Sequence, residues 1–284
     1  YVVDETPQWT SSTRSRLISA RLQGCGRAAL YACAAAMMVF ILAPILRIIS
    51  ISFSDGYFVS FPPSGFTLDW YSKVLGNCEF IDALLFSTLL SLGTTLLSLL
   101  LGIPAAFALV RGNLPVAVLY KGLLLSPRIF PVLITGLALL QLFSGYGWSN
   151  AKLNLLLAHT VVTSPYVVRT VITSLELVNP SLEEAARTLG ASRWATFRQV
   201  VMPQIVPGVM SGAIFCFMVS FDNYPVSMWL ADSENTPVPV VLYRQIGTVF
   251  DPSVATMSTV IILLATVVVI VLEKLVGLRR AMAA

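Results

Sequence analysis

Residues 184–203 read EAARTLGASRWATFRQVVMP, a charged and helix-prone stretch in a chain otherwise dominated by long apolar runs. Of the 284 residues, 56% are hydrophobic and only 11% are charged. That is too little charge to cover the surface of a soluble domain, so a globular enzyme is excluded. The sequence therefore predicts an all-α, polytopic membrane protein in which this stretch is a polar connection between apolar spans.

Six apolar stretches are each long enough to cross a membrane, which takes about 20 apolar residues. They lie at residues 29–52, 81–109, 118–143, 153–175, 204–230 and 254–277. We predict a cytoplasmic N-terminal segment, 1–28, followed by a transmembrane domain, 29–284. The first apolar run is long and starts late, so we interpret it as a retained span and not as a cleaved signal peptide.

Positive charges predict the orientation of these spans, because cytoplasmic loops carry an excess of Lys and Arg. If the spans alternate in direction, most basic residues fall on one side: Arg14, Arg16, Arg21, Arg27, Arg111, Lys121, Arg187, Arg193, Arg198, Lys274, Arg279 and Arg280. Both termini are therefore expected in the cytoplasm. No basic run is interleaved with aromatic residues, so the charge does not indicate a nucleic-acid partner.

The connection between spans four and five, residues 176–203, starts with signals for a short helix. Pro180 suits a first helical turn, and the Ser-x-x-Glu run at 181–184 has the spacing of a capping box. Glu183 and Arg187 can pair at i, i+4 on the polar side of this helix.

A second short helix is predicted after a sharp turn. Gly190 can adopt the positive φ that ends the first helix, and Ser192 can cap the second. Trp194 and Phe197 then lie on one face of that second helix, and Pro203 is expected to end the segment and open span five. Physical reasoning leaves two roles open for the pair: an interfacial connector among lipid headgroups, or a knob that docks into a partner's groove.

The segment resembles the EAA loop of binding-protein-dependent ABC importer permeases. The pattern of that loop is EAA, three residues, Gly, nine residues, Ile, one residue and Leu-Pro. The matching residues here, at the same spacing, are Glu184, Ala185, Ala186, Gly190, Val200, Met202 and Pro203. The resemblance continues upstream through SPYVVRT at 164–170 and extends to the six-span layout. We call residues 176–203 the EAA segment.

The resemblance implies the type I ABC importer permease fold with cytoplasmic coupling helices. In that family the loop sits in a cleft of a cytoplasmic ATPase and passes ATP-driven closure on to the spans. The residues that it assigns to ATPase coupling are Glu183, Glu184, Ala185, Ala186, Gly190 and Pro203.

The implied partners are an ATPase dimer, a second and related permease subunit, an extracytoplasmic solute-binding protein and the lipid of a bacterial inner membrane. ATP and Mg²⁺ would be bound by the ATPase and no cofactor by this chain, because its sequence holds no G-x-x-x-x-G-K-[ST] loop. It also holds no metal-ligand cluster and no nucleophile–base pair, so the chain is expected not to be an enzyme.

Span five contains an acid, Asp222, inside the apolar run Ser220-Phe221-Asp222-Asn223-Tyr224-Pro225. An intramembrane carboxylate costs about 2.5–3.5 kcal/mol on insertion scales and faces a cavity or a partner. It either contacts a cationic solute on the transport path or pairs with a structural partner such as Arg128. Tyr224 and Trp229 could add a cation–π surface, although a tryptophan near a span end is also an ordinary interfacial anchor. The candidate substrate-path residues are Asp222, Tyr224, Arg128 and Trp229.

The same run, with the Thr-Pro-Val-Pro-Val loop at 236–240, is similar to the polyamine branch of these permeases. Asn223 and Tyr224 depart from the more acidic version of that run. The solute is therefore predicted to be small and cationic or amine-bearing, such as spermidine or putrescine. The alternatives are 2-aminoethylphosphonate, an opine or an amino-acid derivative, and, in another class, an ion-coupled secondary transporter or a membrane scaffold.

Two further features of the spans are common in membrane helices. Gly208 and Gly212 form a G-x-x-x-G motif that could allow a close helix approach, but the motif often occurs by chance. His159, the only histidine, lies in span four, where packing or a local hydrogen bond is expected in preference to a proton relay.

Overall fold

A computed structural model describes residues 10–56, 62–63, 65–112, 131–248 and 251–281 of the chain. Within these ranges the helices are joined by turns and loops and no strand is present, so the all-α prediction is confirmed. The helices are α1 (Thr10–Ile51), α2 (Asp69–Leu75), α3 (Cys78–Arg111), α4 (Val132–Gly145), α5 (Ala151–Leu177), α6 (Pro180–Thr188), α7 (Arg193–Thr196), α8 (Met202–Phe221), α9 (Tyr224–Leu230), α10 (Val238–Thr248) and α11 (Pro252–Ala281).

Five helical stretches are long and apolar enough to span a membrane. They are Leu30–Ile51, Cys78–Arg111, Ala151–Leu177, Arg193–Phe221 and Pro252–Lys274. The first belongs to a helix that already begins at Thr10, so part of the predicted N-terminal segment continues directly into span one. Of the predicted span 118–143, residues 118–130 lie outside the described residues, and the rest forms the shorter apolar helix α4.

The core of the bundle is the packing of α3, α5 and α8 against one another. Apolar side chains from all three helices are buried together, with Ala106, Val171 and Ile205 fully enclosed. Small polar groups add hydrogen bonds between helices: the Thr163 hydroxyl pairs with the Ser98 hydroxyl at 3.2 Å and accepts from the Cys216 thiol at 3.1 Å. Such bonds between small side chains are the usual means by which membrane helices associate.

The two glycines of the G-x-x-x-G motif lie where α8 meets α5. A Cβ atom built on Gly208 would be 2.0 Å from the Ser174 hydroxyl oxygen and 2.6 Å from the Thr170 carbonyl oxygen. One built on Gly212 would be 2.5 Å from the Thr170 hydroxyl oxygen. The motif therefore does allow α8 to approach α5 closely, because a side chain at either position would clash with α5.

The first span lies at the edge of the bundle. Its apolar side chains from Leu30 to Leu46 are exposed, and α1 packs mainly against α11. A surface of this kind is stable only when lipid or another apolar protein surface covers it.

Candidate functional site

The first helix of the EAA segment, α6, begins with Pro180 as predicted, but its cap is Asn179. The Asn179 side-chain oxygen accepts a hydrogen bond from the Ser181 N–H at 3.0 Å. The capping box predicted at 181–184 is therefore wrong. The physical reason is that a residue before proline is held in the extended conformation, and that is the conformation of an N-cap.

Gly190 makes the turn after α6, as the sequence predicts. Its φ is +90°, and the backbone bonds around it are those of a Schellman motif. The Gly190 N–H donates to the Arg187 carbonyl at 3.0 Å, and the Ala191 N–H donates to the Ala186 carbonyl at 3.1 Å. Ser192 then caps the next helix, because its hydroxyl accepts from the Ala195 N–H at 3.2 Å, which confirms that prediction.

Pro203 lies in the first turn of α8, as the sequence predicts, but it does not separate the EAA segment from span five. A π-helical turn, Phe197–Val201, joins α7 directly to α8, and the helix passes through Pro203 without a break. The wider π turn explains the difference, because it places the proline ring where an α-helical turn would leave no room for it. The EAA segment thus has two arms: α6 is the first, and α7 with the π turn is the second. The second arm is the first part of span five.

The tip of the EAA segment exposes large apolar side chains. Leu189 is 89% exposed and Trp194 is 69% exposed, with Leu182 also in contact with solvent. Of the residues assigned to coupling, those on the surface are Glu184, Ala185, Gly190 and Pro203, and those partly buried are Glu183 and Ala186. Apolar groups exposed together on an otherwise polar segment are typical of a surface that contacts another protein or a membrane.

Glu183 does not form the predicted pair with Arg187. Its Oε1 instead accepts a hydrogen bond from Nε of Arg111 at 2.8 Å. Arg111 ends α3, so this contact joins two parts of the chain that are 72 residues apart. Sequence reasoning used Arg111 only as a topology signal, and no local spacing could have revealed the pair.

Span five is not the single helix that residues 204–230 predicted. Helix α8 ends at Phe221, and α9 starts at Tyr224 after a break at Asp222 and Asn223. The Asn223 side chain caps α9 by accepting from the Val226 N–H at 3.3 Å. An asparagine followed two residues later by a proline is a helix-start signal, and it was present in the sequence.

His159 of α5 holds both sides of this break. Its imidazole is fully buried and forms hydrogen bonds with the Ser220 hydroxyl at 2.9 Å and with the Ser227 hydroxyl at 3.2 Å. One serine belongs to the last turn of α8 and the other to α9. The expectation of a local hydrogen bond at His159 is confirmed, and the bond holds the two helix ends at a defined separation.

Asp222 is exposed at the break and borders two cavities. One has a volume of about 660 Å³ and lies between α8, α9, α10 and α11. The other, of about 520 Å³, is lined by residues that include Tyr166 and Asn223. The Asn223 amide nitrogen is buried and has no hydrogen-bond partner among the described residues. The break thus places an exposed carboxylate next to an asparagine whose unpartnered amide nitrogen is buried.

Of the other candidate substrate-path residues that the structure describes, only Tyr224 lines a cavity together with Asp222. Tyr224 lines the larger cavity with Asp222, and its ring centre lies 4.5 Å from that of Tyr243. Trp229 lines neither cavity and packs against Gly136 of α4. Arg128 lies outside the described residues. No group of three metal-binding side chains occurs in the described ranges.

Comparison with known proteins gives consistent matches. Residues 80–281 match the family described as "Binding-protein-dependent transport system inner membrane component". The spermidine/putrescine transport system permease protein PotC of Haemophilus influenzae is 29% identical over 232 residues, which cover 81% of this chain and 90% of PotC. The putrescine transport system permease protein PotI of Escherichia coli is 27% identical over 230 residues, which cover 78% of this chain and 82% of PotI.

A solved structure also matches over nearly the whole chain. It is the crystal structure of a bacterial ABC transporter involved in the import of the acidic polysaccharide alginate. The TM-score is 0.67 at 18% sequence identity, and the match covers 96% of this chain and 99% of that chain. At this level of identity, the similarity shows the fold alone.

Proposed function

The chain belongs to the family of binding-protein-dependent transport system inner membrane components, and we propose that the solute it helps to import is a polyamine or another small cationic molecule. The chain is a multi-pass membrane protein and a permease subunit of an ABC importer. The resemblance and the permease fold predicted from the EAA segment are confirmed.

One observation carries the proposal for the solute: the exposed carboxylate of Asp222 at the break in span five, between two cavities. A charged group is costly in a membrane unless it faces a cavity or pairs with another charge. An ammonium group is the natural partner of such a carboxylate. The similarity to PotC and PotI, whose names specify spermidine and putrescine, favours the same chemistry.

The aromatic side chains beside Asp222 suit a cation as well. Tyr224 and Tyr243 lie against each other on the wall of the larger cavity, which Asp222 also borders. A cation over an aromatic face is stabilised by about 0.5–1 kcal/mol at an exposed site and by more when it is desolvated. An amine that passes Asp222 would therefore meet a carboxylate and a π surface together.

The buried amide of Asn223 favours a second candidate. Asn223 lines the smaller cavity with Asp222, and a rotation of its side chain that exposed the buried, unpartnered amide nitrogen would let that cavity bind an acceptor oxygen in addition to an amine. A solute that carries both groups would use both side chains. Such a solute is 2-aminoethylphosphonate, an opine or an amino-acid derivative.

The EAA segment supplies the coupling side of the proposal. Its exposed Leu189 and Trp194 would dock on an ATPase carried by a separate chain, which binds ATP and Mg²⁺. A second permease subunit and a solute-binding protein would complete the importer. The tip of the segment and both termini would then face the cytoplasm, and the break at Asp222 would lie towards the opposite side.

The test is uptake by proteoliposomes that contain the chain with its co-purified partners. Labelled spermidine, putrescine and 2-aminoethylphosphonate are supplied outside with the binding protein, and ATP is compared with a non-hydrolysable analogue. We expect ATP-dependent accumulation of a polyamine, and we expect Asp222→Asn to reduce it by roughly tenfold, since one lost charge contact of about 1.4 kcal/mol has that effect.

Asp82→Asn is the matched control, because Asp82 is an exposed acid near the start of α3. It should transport as the unaltered chain does. Accumulation of 2-aminoethylphosphonate alone would support the second candidate. Unchanged polyamine uptake by the Asp222→Asn protein would show that this carboxylate does not contact the solute.

A further inference from the structure

Arg111, the last residue of α3, contacts two other parts of the chain at once. Its Nε donates to Glu183 Oε1 of α6 at 2.8 Å. Its Nη2 donates to the Leu175 carbonyl at 3.1 Å and to the Val178 carbonyl at 2.9 Å, at the end of α5. A single guanidinium therefore ties together the ends of two spans and the first helix of the EAA segment.

The partly buried environment of this contact strengthens its hydrogen bonds. The side chains of Arg111 and Glu183 are only 18% and 16% exposed, so water competes weakly for their hydrogen bonds. Charge-assisted bonds are shorter and roughly twice as strong as neutral ones. Carbonyl groups at a helix C-terminus carry partial negative charge, which a cation at that position stabilises.

A second contact joins α3 to the other arm of the EAA segment. The Phe107 ring, one turn before Arg111, meets the ring of Phe197 in the π turn edge-on, with 5.6 Å between the ring centres. Phe197 in turn stacks on Trp194. A cleft of about 790 Å³ lies between the two contacts and is also lined by Glu184. The end of α3 is thus attached to both arms.

Pro104 lies inside α3, two turns before Arg111. A proline has no N–H to donate, so the helix lacks one backbone bond there and bends more easily than elsewhere. The portion of α3 after Pro104 is the portion fastened to the EAA segment. It also packs, through Ala106 and Leu109, against the end of α5 and the start of α8. The portion before Pro104 packs in two other clusters, through Phe80, Ala83 and Leu90.

We propose that Arg111 is a positioning residue through which a movement of the EAA segment is passed to α3. The end of α3 after Pro104 moves with the segment as one body, and the helix bends at the proline. Without Arg111 the end of α3 loses its bonds to α6 and to the end of α5 and keeps the contact of Phe107 with Phe197. The inference rests on the proposed role of the EAA segment in coupling to an ATPase.

The test follows the distance between α3 and α6 in the assembled importer. Nitroxide labels are attached at Ala108→Cys and Ser181→Cys, both exposed in the structure, after the native cysteines other than the buried Cys216 are replaced. Pulsed electron paramagnetic resonance then gives the label-to-label distance in lipid nanodiscs, without nucleotide and with trapped ATP. This readout needs no knowledge of the solute, so it can fail or succeed independently of the proposed substrate.

We expect the same distance distribution in both nucleotide states of the otherwise unaltered chain. In Arg111→Gln the distribution should differ between the two states, because the end of α3 no longer follows α6. Glu183→Ala should act in the same way while it leaves the bonds of Arg111 to α5 in place, so it keeps the test valid if Arg111→Gln does not fold. Arg111→Lys keeps the charge but loses the planar fork, so its behaviour should be intermediate.

Arg244→Gln is the control, since it removes an ion pair with Glu79 whose 3.0 Å separation is similar but whose side chains are 57% and 60% exposed. It should leave the distances unchanged. A nucleotide-dependent change in the chain that still has Arg111 would overturn the proposal. So would Glu183→Ala and Arg111→Gln proteins that keep one distance in both states.

Discussion

Replacing Gly190 by alanine should uncouple ATP hydrolysis from transport. The φ of Gly190 is +90°, and a left-handed conformation costs a residue with a Cβ atom about 1–2 kcal/mol. A Cβ atom at this position would meet nothing within 4 Å, so the substitution adds backbone strain and no clash. A change of that size alters the equilibrium between the native turn and its alternatives by roughly 5- to 30-fold.

The assay is the ratio of solute imported to ATP hydrolysed in proteoliposomes of the complete importer. In the Gly190→Ala protein this ratio should fall while hydrolysis continues, because α6 and the helix after it no longer keep their relative direction. Gly190→Asn should recover most of the ratio, since asparagine tolerates the left-handed region better than alanine does.

Gly147 provides the matched control. Its φ is +71°, and a Cβ atom there would also meet nothing within 4 Å, but it lies in the turn between α4 and α5, far from the EAA segment. Gly147→Ala carries the same strain and should keep the ratio. Normal coupling in Gly190→Ala would refute the reasoning, and an equal loss in both proteins would mean that instability and not coupling is being measured.

The remaining predictions concern stability. Gly208→Ala forces α8 away from α5 and should cost about 1–3 kcal/mol, the range for overpacking; thermal unfolding in detergent would show a lowered Tm, whereas Gly247→Ala, with open space around it, should not. His159→Leu should cost about 1–3 kcal/mol by leaving the buried hydroxyls of Ser220 and Ser227 without their partner. Adding Ser220→Ala and Ser227→Ala to it should recover part of the Tm, and no recovery would contradict the account of the break.

Features with a local cause could be predicted from the sequence. The positive φ of Gly190 and the cap at Ser192 each depend on a few neighbouring residues, and both predictions are confirmed. The five long spans follow in the same way from apolar runs, because backbone groups in a membrane must be satisfied within their own helix.

Features that depend on distant residues could not be predicted. The ion pair of Glu183 was assigned to the residue one turn away, and the partner turned out to be Arg111, from another span. The uninterrupted helix at Pro203 likewise depends on a π turn, for which the sequence carries no clear sign. The break at Asp222 was not predicted, because the apolar run around it was interpreted as one span. Asn223 and Pro225 together are nevertheless a signal for the start of a new helix.

The continuity of the second arm with span five has a mechanical consequence. From Arg193 to Phe221 the helix has 29 residues and a length of about 43 Å at 1.5 Å per residue. Trp194 is at one end of this lever, and Asp222 follows the other. A tilt of about 5° imposed near Trp194 displaces the far end by roughly 4 Å over such a length. Through this continuity a force applied at the tip of the EAA segment would reach the carboxylate at the break, with the π turn and Pro207 as the points where the helix can bend.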